Sequence, residues 1–198
     1  MNRMLRRRLR PLLGLWRWCA SFLPARPRGP FAPDVASGLT EPEAVLLAEL
    51  AAGKVALELG SWYGRSTIAL ASAAVRVHAV DAHGGDAHTG PLRTLDAFLR
   101  NLSRYGVRDR VVVHVGRIED VAPVLAPASV DVVFVDGLHT RAAVERDAGL
   151  LLPLVRPGGT IAFHDYGRYD VTAVVDGLGE PERVVDSIAV LRVDAIRA

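Results

Sequence analysis

Acidic and imidazole side chains gather where short apolar runs of this chain give way to turns: Glu58, Asp81, Asp136, His164 and Asp165. The runs are VALELG at 55–60, RVHAVDA at 76–82, VDVVFVDG at 130–137 and TIAFHDY at 160–166. Carboxylates so placed can accept hydrogen bonds from ribose hydroxyls, share a cation or move a proton. Asp136 and Asp165 form a candidate cation pair, with His164 or His139 beside them; an imidazole ligand would favour manganese, iron or zinc over magnesium. His139 is the first candidate for a general base, because imidazole exchanges its proton near neutral pH. Plainer alternatives stay open: strand-end acids commonly hold loop backbone, and His139 lies beside a helix start at Thr140 that it could cap.

The run at 55–60 leads into E-L-G-S-W-Y-G-R-S-T, where Gly60 and Gly64 permit a tight turn and close approach by a ligand. The helix opening near Arg65 would present N–H groups to an anion. Three residues separate the two glycines, so this is not the G-x-G-x-x-G dinucleotide signature, and no G-K-[ST] follows for a phosphate loop. Asp81, 21 residues after Gly60, stands at the spacing of a ribose-binding acid; alone it could equally be a turn acid. Trp62 and Tyr63 are cofactor walls or packing residues. His78 and His114 fall inside apolar runs and read as core or edge histidines. His83 and His88, with Asp81 and Asp86, read as part of a mobile loop more than as a second metal site.

These residues require a frame that brings strand ends together. Thr40, Glu41, Pro42 and Glu43 read as a capped helix start leading to Gly53. Thereafter apolar runs, including VVVHVG at 111–116, alternate with helical patterns near 65–74, 92–105, 118–125 and 140–153, the last ended by Pro157, Gly158 and Gly159. Strands that are apolar on both faces and alternate with helices predict a doubly wound α/β fold with a mostly parallel sheet. ERVV and IAVLRV, separated only by Asp186 and Ser187, predict a C-terminal antiparallel hairpin.

The 198 residues suffice for one ordinary domain, and their composition, half apolar and 23% charged, is globular. The net charge of +2 hides a division. Residues 1–30 hold eight Arg and no acid, whereas the other 168 residues carry 16 basic and 22 acidic side chains. An acidic body argues against a nucleic-acid-binding function spread over the domain. The chain accordingly divides into an arm with a Pro-rich linker, 1–33, and an acidic globular domain, 34–198. In the arm, Leu5, Leu9, Leu12, Leu13 and Trp16 oppose Arg3, Arg6, Arg7, Arg10 and Arg17 at helical spacing, the pattern of a helix on an anionic membrane surface. Pro11 weakens that pattern, and a disordered basic tail is the alternative. Arg17 and the lack of an A-x-A site read against a cleaved leader. The single Cys19 excludes an internal disulfide and gives no sign of an oxidising compartment; the placement expected is cytoplasmic, with or without membrane association.

The E-x-G-x-x-x-G loop, the acid after the second strand and the stretch FVDGLHTRAAVERDAGLLLPLVRPGGTIAFHDY together resemble a class I S-adenosylmethionine-dependent methyltransferase. The likeness is to the small-molecule O-methyltransferases of family 24, related to macrocin and catechol O-methyltransferases, and runs from about residue 40 to the end. It implies a Rossmann-like seven-stranded sheet whose last two strands are the terminal hairpin. It further implies that Glu58, Gly60, Ser61, Gly64 and Ser66 line the methionine end of the cofactor, that Asp81 holds the ribose, and that Gly116, Arg117 and Ile118 flank the adenine, with Asp136 nearby. The catalytic group would be His139, Asp136 and His164. A divalent metal, magnesium or manganese, would sit on Asp136, His164 and Asp165, although relatives that use metal carry an acid or amide where this chain has a histidine. The acceptor implied is a hydroxyl of a sugar, polyketide or phenol; homodimerisation is a further expectation. The competing readings are a nicotinamide oxidoreductase, opposed by the missing G-x-G-x-x-G, and a non-catalytic nucleoside-binding or membrane-docked protein. An RNA methyltransferase is a further one, opposed by D-G-L-H in place of an N-P-P-Y tetrapeptide.

Overall fold

The computed structural model describes residues 29–86 and 90–196. The amphipathic pattern of the arm, Cys19 and His88 lie outside the described residues.

Seven strands form one sheet: β1 Val55–Leu59, β2 Arg76–Asp81, β3 Val111–Val115, β4 Val130–Val135, β5 Val155–Phe163, β6 Arg183–Val185 and β7 Ile188–Arg192. Their order is β3-β2-β1-β4-β5-β7-β6. Pairs among β1 to β5 are parallel, whereas β7 runs antiparallel to both β5 and β6. The hairpin turns at Asp186 and Ser187 as the sequence predicts, with Asp186 taking a positive φ of 47°. Because the chain moves outward from β1 to β3 and then returns to β4, the order reverses between β1 and β4, and the crevice beyond their carboxyl ends is where such sheets bind ligands.

Side-chain alternation along each strand builds two cores. On β4, Val132 and Phe134 face one side and Val133 and Val135 the other. The first side is covered by α1 Glu41–Ala51, α2 Arg65–Ala73 and α3 Leu95–Arg104, through Leu46, Leu47, Ile68, Leu70, Phe98 and Leu102. The second is covered by α4 Ile118–Val121, α5 Arg141–Leu151 and α6 Val171–Leu178, through Ile118, Val144, Leu151 and Val175. Burying each large side chain stabilises the fold by about 1.5–3 kcal/mol. α1 opens with the expected capping box, the Thr40 hydroxyl accepting from Glu43 N–H and the Glu43 carboxylate from Thr40 N–H.

Two elements differ from the sequence pattern. The helix expected over 118–125 is a single turn plus a 3₁₀ turn at Ala122–Val124, because Pro123 offers no N–H to continue it. β5 begins at Val155, ahead of the Pro-Gly-Gly that reads as its upstream stop. Between the pairs Val130–Val155 and Val132–Thr160 the register shifts, so Pro157, Gly158 and Gly159 are accommodated as an irregularity inside the strand. The body also takes in the end of the linker, since Ala32 is buried in the first core, beside Val35 and Leu39, with Phe31 packed against it.

Candidate active site

At the end of β1 the chain turns through Gly60 (φ +88°), Trp62 (φ +44°) and Gly64 (φ +94°). Sequence reading gives these glycines to a tight turn and to ligand approach; both line the cleft and both are also required by packing. A Cβ on Gly60 would lie 2.0 Å from the Asp136 carbonyl oxygen, and one on Gly64 would lie 2.8 Å from the Phe98 ring. The loop is held by Asp81, whose Oδ2 accepts from Ser61 N–H (2.8 Å) and Trp62 N–H (2.7 Å) while Oδ1 accepts from His83 N–H (2.6 Å). Asp81 thus fixes backbone and also lines the cleft, so the two sequence readings of it coexist.

Glu58 departs from expectation. It does not line the cleft: it is fully buried behind the loop, where its Oε2 accepts from Ser61 Oγ (2.8 Å) and Thr67 Oγ1 (2.5 Å). Its Oε1 has no hydrogen-bond partner among the described residues. Burial pushes this carboxyl up to about 7, against the hydroxyls of Ser66, Thr67 and Ser61 that favour its ionised form.

Beyond β4 and β5 the acids and imidazoles converge. His139 Nε2 lies 2.9 Å from Asp165 Oδ2 and 3.8 Å from Asp136 Oδ1. His164 Nδ1 lies 3.1 Å from Asp136 Oδ1 and 3.4 Å from Asp165 Oδ2, and its Nε2 faces Glu43 Oε2 at 3.6 Å. Asp165 holds a positive φ of 58°, a strained setting for a non-glycine residue. Hydrogen bonds to Asp136 and Asp165 push His139 up to about 9. Burial opposes charge on His164, but Asp136, Asp165 and Glu43 outweigh it and push that imidazole to about 12. The same hydrogen bonds hold Asp165 far below its ordinary value. His139, expected as a base ready at neutral pH, therefore carries its proton there in this arrangement, because two carboxylates favour the cation.

The residues that could hold a metal lie in the same corner. Asp136, His139 and Asp165 each offer one ligand atom, all within 4.8 Å of one another, a span one divalent ion can bridge. His164, the imidazole expected there, adjoins the group, its Nδ1 3.1 Å from Asp136 and 3.4 Å from Asp165. Two oxygens and an imidazole nitrogen suit manganese, iron or zinc better than magnesium.

A cleft of about 690 Å³ joins the two regions. Gly60, Ser61, Gly64, Ser66 and Asp81 line it on the β1–β2 side, and Gly116, Arg117 and Ile118 line it beyond β3. Asp136, His139, His164 and Asp165 line the β4–β5 side. Tyr169 joins them, its ring stacked on His139 with centroids 5.0 Å apart. Ala36, Ser37 and Gly38, just after the linker, form another wall. Arg65 fastens that segment, donating to the carbonyls of Ala32 (3.1 Å), Pro33 (3.1 Å), Ser37 (3.2 Å) and Leu39 (2.9 Å), with its guanidinium over the Phe31 ring. Nothing in local sequence marks Arg65, Tyr169 or this wall as part of a site. Glu43 carries a visible signal, the capping box, which points to helix initiation alone.

A parallel sheet reversing at β1 and β4, closed by an antiparallel hairpin and bearing a cleft at the reversal, matches the topology of the class I S-adenosylmethionine-dependent methyltransferases. A family model described as a methyltransferase domain matches residues 57–166, more than half of the chain, and the protein belongs to that family, family 24. No curated protein matches it significantly. Among solved structures, cofactor-bound Rv0187 from MTB is 24% identical with a TM-score of 0.65, over 82% of this chain and 84% of that one. The O-methyltransferase TomG from Streptomyces achromogenes, solved with SAM, is 26% identical with a TM-score of 0.55, over 77% and 65% of the two chains. An O-methyltransferase from Bacillus cereus, in complex with SAH, is 22% identical with a TM-score of 0.55, over 82% and 68%.

Proposed function

We propose that the protein transfers a methyl group from S-adenosylmethionine to a hydroxyl of a small molecule seated against Asp136, His139 and Asp165. The observation that carries this reading is the contact between the two halves of the cleft: Gly60 has no room for a side chain because the Asp136 backbone lies against it, so the loop beside the donor and the polar corner are directly adjacent. Methyl transfer is an in-line displacement, and a protein accelerates it chiefly by holding both reactants in line and making the nucleophile electron-rich. Ser61, Gly64 and Asp81 would bind the donor at one side, and Arg117 and Ile118 would flank its base. At the other side Asp136 and Asp165 orient the acceptor hydroxyl, and His139 must give up its proton either to ligate a cation or to receive the hydroxyl proton. A divalent cation bound by Asp136, His139 and Asp165 would supply a lowered hydroxyl pKa. The O-methyltransferases named above support the acceptor type by analogy of fold.

Thermal shifts and turnover test the reading together. S-adenosylhomocysteine, but not NAD, is expected to raise the melting temperature by mass action. Methylation of a panel of phenol and sugar hydroxyls is expected to fall on chelation and in Asp165→Ala. A shift with NAD alone would sink the proposal, and indifference to chelator would remove the cation. We also place the protein in the cytoplasm, acting on small molecules and not nucleic acid, with the Arg-rich arm as a membrane-surface element and the chain as a homodimer. Vesicles of anionic phospholipid, offered to the full chain and to a chain starting at Gly29, test the arm, and sedimentation tests the dimer.

A further inference from the structure

Glu43 does more than start a helix. A capping-box glutamate ordinarily lies at the protein surface, whereas this one is 1% exposed. Burying a carboxylate is unfavourable unless its lone pairs find donors; here the donors are Thr40, three residues away, and Ser187, far along the chain, with the His164 imidazole at ion-pair distance. Thr40 N–H donates to Oε2 at 2.8 Å. Ser187, in the turn of the β6–β7 hairpin, donates to Oε1 from its N–H (2.9 Å) and its hydroxyl (2.7 Å). His164 Nε2 stands 3.6 Å from Oε2. The capping box accounts for the first of these and for none of the others.

The other nitrogen of the His164 ring is directed at Asp136 and Asp165. An imidazole with carboxylates at both nitrogens has its ring plane and direction fixed; with a carboxylate at one nitrogen only, it can turn. The same hairpin turn accepts, through Ser187 O, from Tyr166 N–H at 2.9 Å, immediately after Asp165. We propose that Glu43 is a positioning residue of the active site, which through His164 sets the placement of Asp136 and Asp165. The inference rests on the methyl-transfer reading for its consequence in turnover, and on geometry alone for the fixing of His164.

The test compares Glu43→Gln, Glu43→Asp and Ser187→Ala with the wild type by nitrogen-15 NMR of labelled histidine side chains, the His164 signals being assigned by their loss in His164→Gln. Glu43→Gln is expected to move or broaden the His164 ring signals, and Ser187→Ala, which removes only the hydroxyl contact, to leave them in place. With S-adenosylmethionine and a catechol as the hydroxyl probe, Glu43→Gln is expected to lower kcat by about 10- to 100-fold, as for partners that orient a site's ligands. KM for S-adenosylmethionine should stay within about twofold, as expected when binding is untouched, and Glu43→Asp should recover part of kcat. Unmoved His164 signals in Glu43→Gln, or equal displacement in Ser187→Ala, would make Glu43 a structural cap and overturn the proposal. If Glu43→Gln does not fold, the same comparison is made on Glu43→Asp, whose shorter reach must displace the signals. A wild type that binds S-adenosylhomocysteine but methylates no hydroxyl probe would remove the hydroxyl-transfer reading, and the ring signals would still decide on Glu43.

Discussion

Individual side chains in this protein serve two demands at once, and Glu58 shows the cost. Its carboxyl titrates near 7 in the fold, above its ordinary 4.5, so the fold favours the protonated form. The stabilisation is complete below about pH 4.5 and is lost as pH rises through 7. Linkage makes the loss on the order of 3 kcal/mol across that interval. Urea denaturation between pH 4.5 and 8 should therefore show declining stability for the wild type and a flatter profile for Glu58→Gln; parallel profiles would refute the assignment. Sequence reading finds Glu58 by its type and its place at a strand end, yet puts it in the cleft. Which face of β1 it occupies depends on the hydroxyls of Ser61 and Thr67 reaching it from behind, and the strand is apolar on both faces, so alternation gives no cue. Asp81 is the opposite case: its position at the end of β2 suffices to find it, because an acid there meets the loop that leaves β1.

Elements follow local patterning until a steric exception intervenes. The five parallel strands and the final hairpin are legible because β-branched runs and a two-residue turn act locally. The start of β5 is not, since Pro-Gly-Gly reads as a stop. Its tolerance depends on β4 lying alongside: a Cβ at Gly159 would fall 2.8 Å from the carbonyl oxygens of Arg156 and Asp131 and 2.5 Å from Val155 Cγ1. Backbone carbonyls cannot swing aside as a side-chain tip can. Gly159→Ala is therefore expected to destabilise by about 1–3 kcal/mol, as overpacking does. A shift in the urea midpoint with unchanged slope measures it, and an unchanged midpoint would mean that β5 can relax. Gly149→Ala, whose Cβ would meet nothing within 4 Å, is the control.

At the scale of the whole molecule, the sequence divides an acidic body from a basic arm, and the described structure shifts where the body starts. Phe31, Ala32 and Pro33 lie ahead of residue 34, yet Ala32 is fully buried and Arg65 grips the carbonyls of Ala32 and Pro33. A chain starting at Asp34 loses these partners. It should be less stable than one starting at Gly29 by about 1–3 kcal/mol, lowering the melting temperature by roughly 3–10 °C. Equal melting temperatures would show the segment to be dispensable. No composition shift announces this boundary, because a guanidinium clasping backbone carbonyls leaves no mark on the sequence of the clasped residues. The clasp also puts the arm and the cleft in mechanical series: the peptide that forms a wall at Ala36–Gly38 is the one that continues toward residue 28. A pull applied upstream meets the Arg65 clasp at Ala32 and Pro33, and then the ties of Asp34 to Tyr105 and Arg104, before it reaches the cleft wall.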